Sequence, residues 1–367
     1  MNAPRLVIDL DKIYHNARAL VECLAERDIL ATGVTKATLG SPEIAATMLR
    51  AGVNGLGDSR IENIEAMRLA NITATMMLIR SPMLSQVAQV VAHADVSFNT
   101  EIAVIRQLSL AAQMVGKEHG VVLMVELGDL REGIMPDDLV SIVRETLSCP
   151  NIVLKGIGTN LACLSGVSPN AANMMALSAL AESIEEDFDI TLEIVSGGNS
   201  ANLQWALSGV DIGRINNLRL GEAILLGREP LHRQALDGLY TDAFTLTAEV
   251  IESKRKPSQP SGVVGQTAFG NQPSPVIDRG TIAQEILAIG QQDIDPDGLK
   301  PPCGIKIQGA SSDHLILDSS DHAHSVGSEL DFQLNYSSLV RAMTSPFVTK
   351  VVKQGFPFSA SAHIASH

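Results

Sequence analysis

Over its first two-thirds the chain keeps a regular beat, in which short apolar runs alternate with amphipathic stretches. Leu6-Val7-Ile8-Asp9-Leu10 reads as a strand, and Asp11 is placed to cap a helix running to about Glu26. Further strands are expected at 29–36, 53–57, 75–80, 94–98, 120–126, 153–159, 192–196 and 211–217, with helices such as 41–51 and 60–70 between them. Roughly eight strand–helix units in about 230 residues predict an α/β fold, a closed (β/α)8 TIM-type barrel rather than an open sheet. From about Gly238 the pattern changes to short β-type runs at 243–250, 285–289, 304–308 and 315–318, separated by Gly, Pro, Asp and Ser turns. A smaller all-β domain is therefore expected after the barrel. The predicted division is 1–235 for the barrel, 236–355 for the β domain and 356–367 for a disordered tail. The opening strand near Leu6 is open to joining the β domain.

Composition removes several function classes. The net charge is −14, whereas phosphate-backbone binding needs clustered Lys and Arg, so no nucleic-acid partner is expected. The basic cluster Lys254-Arg255-Lys256 precedes Pro257 and reads as a solvated turn. No apolar run has the length of a membrane span. The amino terminus lacks a basic start followed by an apolar run, so no secretory signal is expected. Cys23, Cys149, Cys163 and Cys303 are scattered without paired metal spacing and read as reduced thiols of a cytoplasmic protein, with no metal site.

Lys36 ends the apolar run that begins at Ile29. A lysine at the carboxyl end of a buried strand has its amine pressed toward a cavity, where burial favours the neutral, nucleophilic form that can attack an aldehyde. By itself it reads more readily as a strand-end lysine with its head in water. Other polar residues share its phase: Arg80, Asn99, Arg131, Asn160, Asn199 and Arg219 also fall just after apolar runs. In a barrel those positions face one active end. Near the last two strands lie Ser196-Gly197-Gly198-Asn199-Ser200 and Arg219-Leu220-Gly221-Glu222. Each is a glycine turn with free backbone N–H groups, a phosphate cradle where barrels hold phosphate. Gly221 is read as permitting the tight turn. Arg219 is placed to reach an acceptor nitrogen on the ring that the phosphate carries. A Schiff-base lysine, an arginine and a phosphate cradle together point to pyridoxal 5′-phosphate.

In order and spacing, Lys36, Arg131, Asn199-Ser200 and Arg219-Leu220-Gly221 resemble the barrel motifs of alanine racemase and its fold-type III relatives. The chain resembles the ornithine racemase group most, through Gly33–Lys36, Asp58–Asn63, Glu126–Ile134, Gly156–Leu161 and Gly197–Ser200. The β domain adds Gly265–Gly270, Ile289–Asp295, Gly309–His314, Asn335-Tyr336 and Ala342–Pro346.

The resemblance implies roles. Lys36 is then the Schiff-base lysine and one of two proton shuttles, and Arg219 hydrogen-bonds the pyridine nitrogen. Asn199, Ser200, Gly221 and Glu222 bind the cofactor around its phosphate, the last two through backbone N–H groups. Arg131 sits near the substrate carboxylate, and Asn160 stands where alanine racemase has a histidine against the ring. The second base, a tyrosine in alanine racemase, falls at Phe269, which has no proton to move. Analogy with ornithine decarboxylases points instead to the Ser311-Ser312-Asp313 loop from the partner of a homodimer. Ser312 would then lie by the reacting carbon and Asp313 would grip the distal ammonium. His314 and Thr267 are further candidate bases, while His314 as a structural histidine and Asp313 as a turn cap are the plain alternatives.

These readings predict an amino-acid racemase that exchanges the Cα proton, with ornithine or another basic amino acid favoured and alanine possible. An ornithine or lysine decarboxylase and a non-catalytic pyridoxal-phosphate carrier are the alternatives. The second domain argues against the carrier, and the absence of a Gly-Glu-Pro-Gly segment argues against the decarboxylase.

Overall fold

A computed structural model describes residues 2–267, 269–270, 272, 277–320 and 323–353, and the expected tail at 356–367 lies outside them. The chain divides into two compact units, Lys12–Thr241 and the combination of Met1–Asp11 with Asp242–His367.

The first unit is a closed parallel barrel. Its strands are β2 (Leu30–Val34), β3 (Gly55–Asp58), β4 (Met76–Leu78), β5 (Val96–Asn99), β6 (His119–Met124), β7 (Ile152–Gly158), β8 (Ile194–Gly198) and β9 (Asn217–Leu220); β1 (Arg5–Asp9) belongs to the other unit. Closure is made where β2 pairs with β9, Thr32 opposite Arg219. After α1 (Leu10–Ala25), the helices α2 (Pro42–Arg50), α3 (Ile61–Leu69), α4 (Val87–His93), α5 (Ile102–Val115), α6 (Pro136–Leu147), α7 (Ala171–Phe188), α8 (Leu203–Leu207) and α9 (Glu222–Leu226) each follow a barrel strand. An apolar filling is made by Met77, Val96, Phe98, Val122 and Met124, all buried, with Ile79 and Ile194 against them. Side chains alternate across a strand, so Ser97 and Asn99 face away from that filling.

Outside the filling, Asn99 donates to Ser97 Oγ at 2.9 Å, and Ser97 Oγ meets His119 Nε2 at 2.7 Å. Burial pushes the His119 imidazole down to about 4 against the opposing pull of Asp95. The sign follows from linkage. Between the unfolded value near 6.5 and about 4, only the unfolded chain takes the proton, so stability present above pH 6.5 is lost as pH falls through that window. We expect His119→Gln to flatten this acid limb, which is worth about 3 kcal/mol in total, in urea unfolding followed from pH 7 to pH 4.

The second unit is a mostly antiparallel sheet in the order β12-β15-β10-β11-β14-β13, built from β10 (Phe244–Pro257), β11 (Thr281–Leu287), β12 (Leu299–Lys300), β13 (Lys306–Ala310), β14 (Leu315–Asp318) and β15 (Glu329–Leu334). It also holds α10 (Tyr336–Thr344) and β16 (Thr349–Lys353). β1 joins this sheet, antiparallel to β10 and parallel to β16.

Several expectations are corrected. The last barrel strand begins at Asn217, because 211–216 is spent on turns: Asp211 accepts from Gly213 N at 2.9 Å and Gly213 is left-handed. Arg219 therefore lies within the strand, and Lys36 stands two residues past β2, opening a 3₁₀ turn. α1 starts at Leu10, so Asp11 lies in its first turn and is not its cap. Lys254-Arg255-Lys256 is strand, with Lys254 and Lys256 both paired to Glu252. β15, α10 and β16 had no counterpart in the expected pattern.

Candidate active site

The carboxyl ends of the barrel strands gather Lys36, Arg131, Asn160, Cys163, Asn199, Ser200 and Arg219, each placed by a local device. Lys36 opens a turn in which Thr38 N and Gly40 N both return to Thr35 O, and Leu39 is left-handed. Thr35 N donates to Gly57 O at 3.0 Å, and Thr35 Oγ1 donates to Asp58 Oδ2 at 2.7 Å. The amine of Lys36 is held below the ordinary lysine range. The main cause is crowding by protein atoms, even though part of the side chain stays open to water at the barrel mouth. Arg131 and Arg219 push the same way, against Cys163 and Asp58.

Arg219 is buried, and its acceptors are neutral. Nη1 donates to Ser196 Oγ, and Nη2 donates to Thr159 O at 2.9 Å and to Asn160 Oδ1 at 3.3 Å. Its guanidinium lies 5.2 Å from the Phe98 ring centroid, on top of the apolar filling. Burial brings it down to about 10, still protonated at neutral pH. Ser196 passes its own proton to Asn217 Oδ1 at 2.7 Å, which fixes the acceptor that Arg219 uses.

Asn160 is gripped through its oxygen, since Asn199 Nδ2 donates to Oδ1 at 3.1 Å alongside Arg219. Its Nδ2 is buried and finds no hydrogen-bond partner among the described residues. Such an orphan donor calls for an explanation, commonly an absent ligand. The Asn199 side chain is occupied at both ends, accepting from Ala201 N at 2.8 Å and donating to Leu161 O at 2.8 Å. It therefore organises the loops.

Ser200 is buried, and its hydroxyl oxygen accepts from Ala223 N at 3.2 Å, leaving the hydroxyl proton to donate. That bond joins the turn after β8 to the start of α9. Gly198 has φ +144°, and a Cβ there would meet Asn202 Oδ1 at 2.2 Å. Gly221 has φ −120°, so a left-handed turn is not its reason. A Cβ there would crowd Val34 Cβ at 3.3 Å. The Glu222 carboxylate is taken by Arg233 and raised by burial, so any anion it meets would be met by its backbone N–H.

Arg131 is paired with its neighbour Glu132. Beneath them, buried Asp129 accepts from Cys163 N, Leu164 N and Ser165 N at 3.2, 2.9 and 3.2 Å. Burial pushes the Asp129 carboxyl up, but those N–H bonds outweigh it and hold the group below its usual range. The left-handed residues Leu130 and Ala162 flank Arg131 and Cys163.

Cys163, Asp129 and Phe98 were not singled out from the sequence. For Cys163 a signal existed, since it stands three residues after Asn160. Asn99 shares the strand-end phase but turns away from the site with Ser97.

In the other unit, the 311–314 turn is an exposed loop on a rigid base. Gln291 N and Gln292 N donate to Ser311 O and Ser312 O at 2.9 and 3.0 Å. A Cβ on Gly290 would strike Asp313 N at 2.3 Å, so only glycine permits this approach. Asp313 Oδ1 lies 2.7 Å from His314 Nδ1 and takes Ser312 Oγ at 3.2 Å. His314 first, then Ser312, hold the Asp313 carboxyl below its usual range. Phe269 is exposed, and Thr267 O accepts from Gly270 N at 2.9 Å. Ala268, within the matched Gly265–Gly270 stretch, lies outside the described residues.

Among the described residues no group of acidic, His or Cys side chains could hold a metal ion, and no helix is long and apolar enough to cross a membrane.

Comparison with known proteins agrees with this geometry. The alanine racemase N-terminal domain family matches residues 8–229. A lysine racemase of Thermotoga maritima is 40% identical over 351 residues, covering 95% of this chain and 98% of that protein. An ornithine racemase of Acetoanaerobium sticklandii is 39% identical over 352 residues, covering 95% and 99%. Among solved structures, alanine racemase from Streptomyces lavendulae superposes with a TM-score of 0.74 at 18% identity, covering 97% of this chain and 99% of that one, a likeness of fold. A strand-end lysine beside a buried arginine in a closed barrel, with near-full-length likeness to two racemases, places the chain in the alanine racemase family as an amino-acid racemase.

Proposed function

We propose that the chain racemises a basic amino acid, ornithine or lysine, with pyridoxal phosphate held by the barrel and a second copy completing the site. The observation that carries this reading is the near-full-length likeness to a lysine racemase and an ornithine racemase.

The residues present fit the cofactor on four counts. Lys36 offers an amine with weakened proton affinity. Arg219 is a buried cation with neutral acceptors only, and so keeps N–H groups for a ring nitrogen. Ser200 keeps a donor beside a turn where Gly198 and Gly221 admit no side chain without crowding. The orphan Asn160 Nδ2 adds a donor with no acceptor among the described residues. Lys36 would tether the cofactor, while Ser200 with the backbone of Gly221 and Glu222 would hold its phosphate; Arg219 and Asn160 would meet its ring, with Asn199 fixing Asn160. Bound there, pyridoxal phosphate supplies the electron-withdrawing system that acidifies the substrate Cα–H.

The chain's own residues do the rest. Lys36 moves the proton on one face of the carbon. Arg131, freed from Glu132, receives the substrate carboxylate as a bidentate pair. Racemisation needs a second group on the opposite face, and we assign it to the 311–314 turn of a second copy. Ser312 leads the candidates, ahead of His314 and Thr267, and Asp313, ionised at neutral pH, grips the distal ammonium. Support for the homodimer comes from the barrel mouth, where the loops expose Leu39, Met83, Leu84, Leu130, Met135 and Leu164. Exposed apolar side chains on the loops of one barrel end are what a partner's surface would cover. A cytoplasmic setting fits the four free cysteines.

The test is proton NMR of L-ornithine, L-lysine and L-alanine with enzyme and pyridoxal phosphate in deuterium oxide, with chiral analysis of the same samples. Loss of the Cα signal and growth of the D isomer, faster for the two basic substrates than for alanine, is expected. Release of carbon dioxide, or no exchange in any sample, would overturn the reading.

A further inference from the structure

Asp58 is a fully buried acid that no step above uses. It ends β3, next to the strand that leads to Lys36, and opens the Asp58–Asn63 stretch, which had no role in the sequence reading. Its two oxygens are divided between two tasks. Oδ2 accepts from Thr35 Oγ1 at 2.7 Å, while Oδ1 accepts from Arg60 N at 2.9 Å and from Asn63 Nδ2 at 3.0 Å. All three partners donate, so the group is held as an acceptor, which is what a carboxylate is.

Thr35 is the pivot of the Lys36 turn, since its carbonyl takes both Thr38 N and Gly40 N. The opposite wall is tight as well. A Cβ on left-handed Gly40 would stand 2.9 Å from Asn63 Cβ and from Asn63 O. Asn63 therefore packs on the far end of the turn while it bonds Asp58. The carboxylate sits at the centre of a clamp on both ends of the segment that carries the lysine.

We propose that Asp58 is a positioning residue: through Thr35 and Asn63 it fixes the Lys36 turn, and it keeps a negative charge within reach of the Lys36 amine. The inference rests on the reading of Lys36 as the cofactor lysine. The titratable groups that act on that amine are Arg131 and Arg219 on one side of the balance and Cys163, Asp58 and Glu222 on the other. Burial holds the Asp58 carboxyl above its usual range, with the Thr35, Arg60 and Asn63 bonds pulling against it; the three donors turned toward its oxygens are what argue for a carboxylate here. Its charge offsets part of the two guanidinium fields, so the amine is neither stripped of its proton outright nor left as an ordinary surface ammonium.

Asp58→Asn separates charge from scaffold, because a carboxamide oxygen can still take Arg60 N and Asn63 while its NH2 meets Thr35 Oγ1. Two titrations on the full chain read the result. One follows the near-ultraviolet and visible absorbance of lysine-bound pyridoxal phosphate against pH. The other follows the pH-dependent acetylation rate of Lys36 by mass spectrometry, with cofactor removed. We expect Asp58→Asn to move both midpoints down by about half a pH unit or more. Loosening of the turn would hydrate the amine and move the midpoints up, so the sign distinguishes a charge effect from damage. An unchanged or raised midpoint overturns the proposal.

Thr35→Val tests the clamp, since it removes the Oγ1 bond to Asp58 and leaves the Asp58 side chain in place. We expect its pyridoxal phosphate affinity to fall about tenfold or more. Wild-type affinity overturns the proposal too, and this variant decides the matter if Asp58→Asn does not fold. If the wild-type chain shows no lysine-bound absorbance, the cofactor reading fails, while the acetylation titration still judges Asp58.

Discussion

Lys36→Ala is expected to lower racemisation by a thousandfold or more, roughly the combined loss of a covalent tether and a general base. The same protein should lose the visible absorbance of lysine-bound pyridoxal phosphate. Its fold should survive, because Lys36 lies on a partly open turn whose frame is made by Thr35, Thr38, Gly40 and Asp58. Compared without cofactor, its thermal midpoint should stay at or above that of the wild type. The amine gives up solvation to sit between Arg131 and Arg219, and its lowered proton affinity is the sign of that cost. Lys36→Arg completes the test, since it keeps the charge and a similar length but offers no nucleophilic amine. If either variant kept a tenth of the wild-type activity, Lys36 would not be the cofactor lysine.

The sequence reached Lys36 by a sound route with an error of two residues. An apolar run ending in lysine locates a strand end, but the strand stops at Val34 because Thr35 turns its carbonyl back on the 3₁₀ turn. Phase alone grouped Asn99 with Arg131 and Asn160. Phase along a strand has two faces, and Asn99 took the one that meets Ser97 and His119. The barrel itself was legible because short apolar-containing runs recur at regular intervals with helical stretches between them. The β unit was less so. Beyond Val250, β10 is open to solvent on both faces, and a register shift at Val250/Glu252 breaks its alternation. No period-2 burial survives there to be read, which is why three consecutive basic residues passed for a turn. The clamp on Asn160 was beyond any local reading. It depends on Asn199 and Arg219, which stand 39 and 59 residues away in the chain. Cys163 reached the site in the same way, through a buried aspartate 34 residues earlier.

Arg219→Met is the other change with a large expected effect, and it should split function from stability. The guanidinium is buried on the Phe98 ring with no carboxylate bonded to it among the described residues, and burial brings its proton affinity well below the ordinary arginine range, to about 10. That difference corresponds to about 3 kcal/mol spent on keeping the charge at neutral pH. The sign follows from the depressed value. The penalty is complete below pH 10, where the folded protein holds the proton, and it fades as pH rises above 10 toward the ordinary arginine range. A methionine of similar length removes the penalty. It leaves Thr159 O without one donor, while Asn160 Oδ1 keeps Asn199 and Ser196 keeps Asn217. The lost bonds cost about 1–3 kcal/mol, so the two effects nearly cancel. The cofactor-free variant should therefore unfold in urea within about 1 kcal/mol of the wild type. Activity should nonetheless fall a hundredfold or more, since a preorganised donor in a dry site is worth that much to the reacting system. A strongly destabilised variant would show that Arg219 holds the barrel top together, and an active one would remove it from the site.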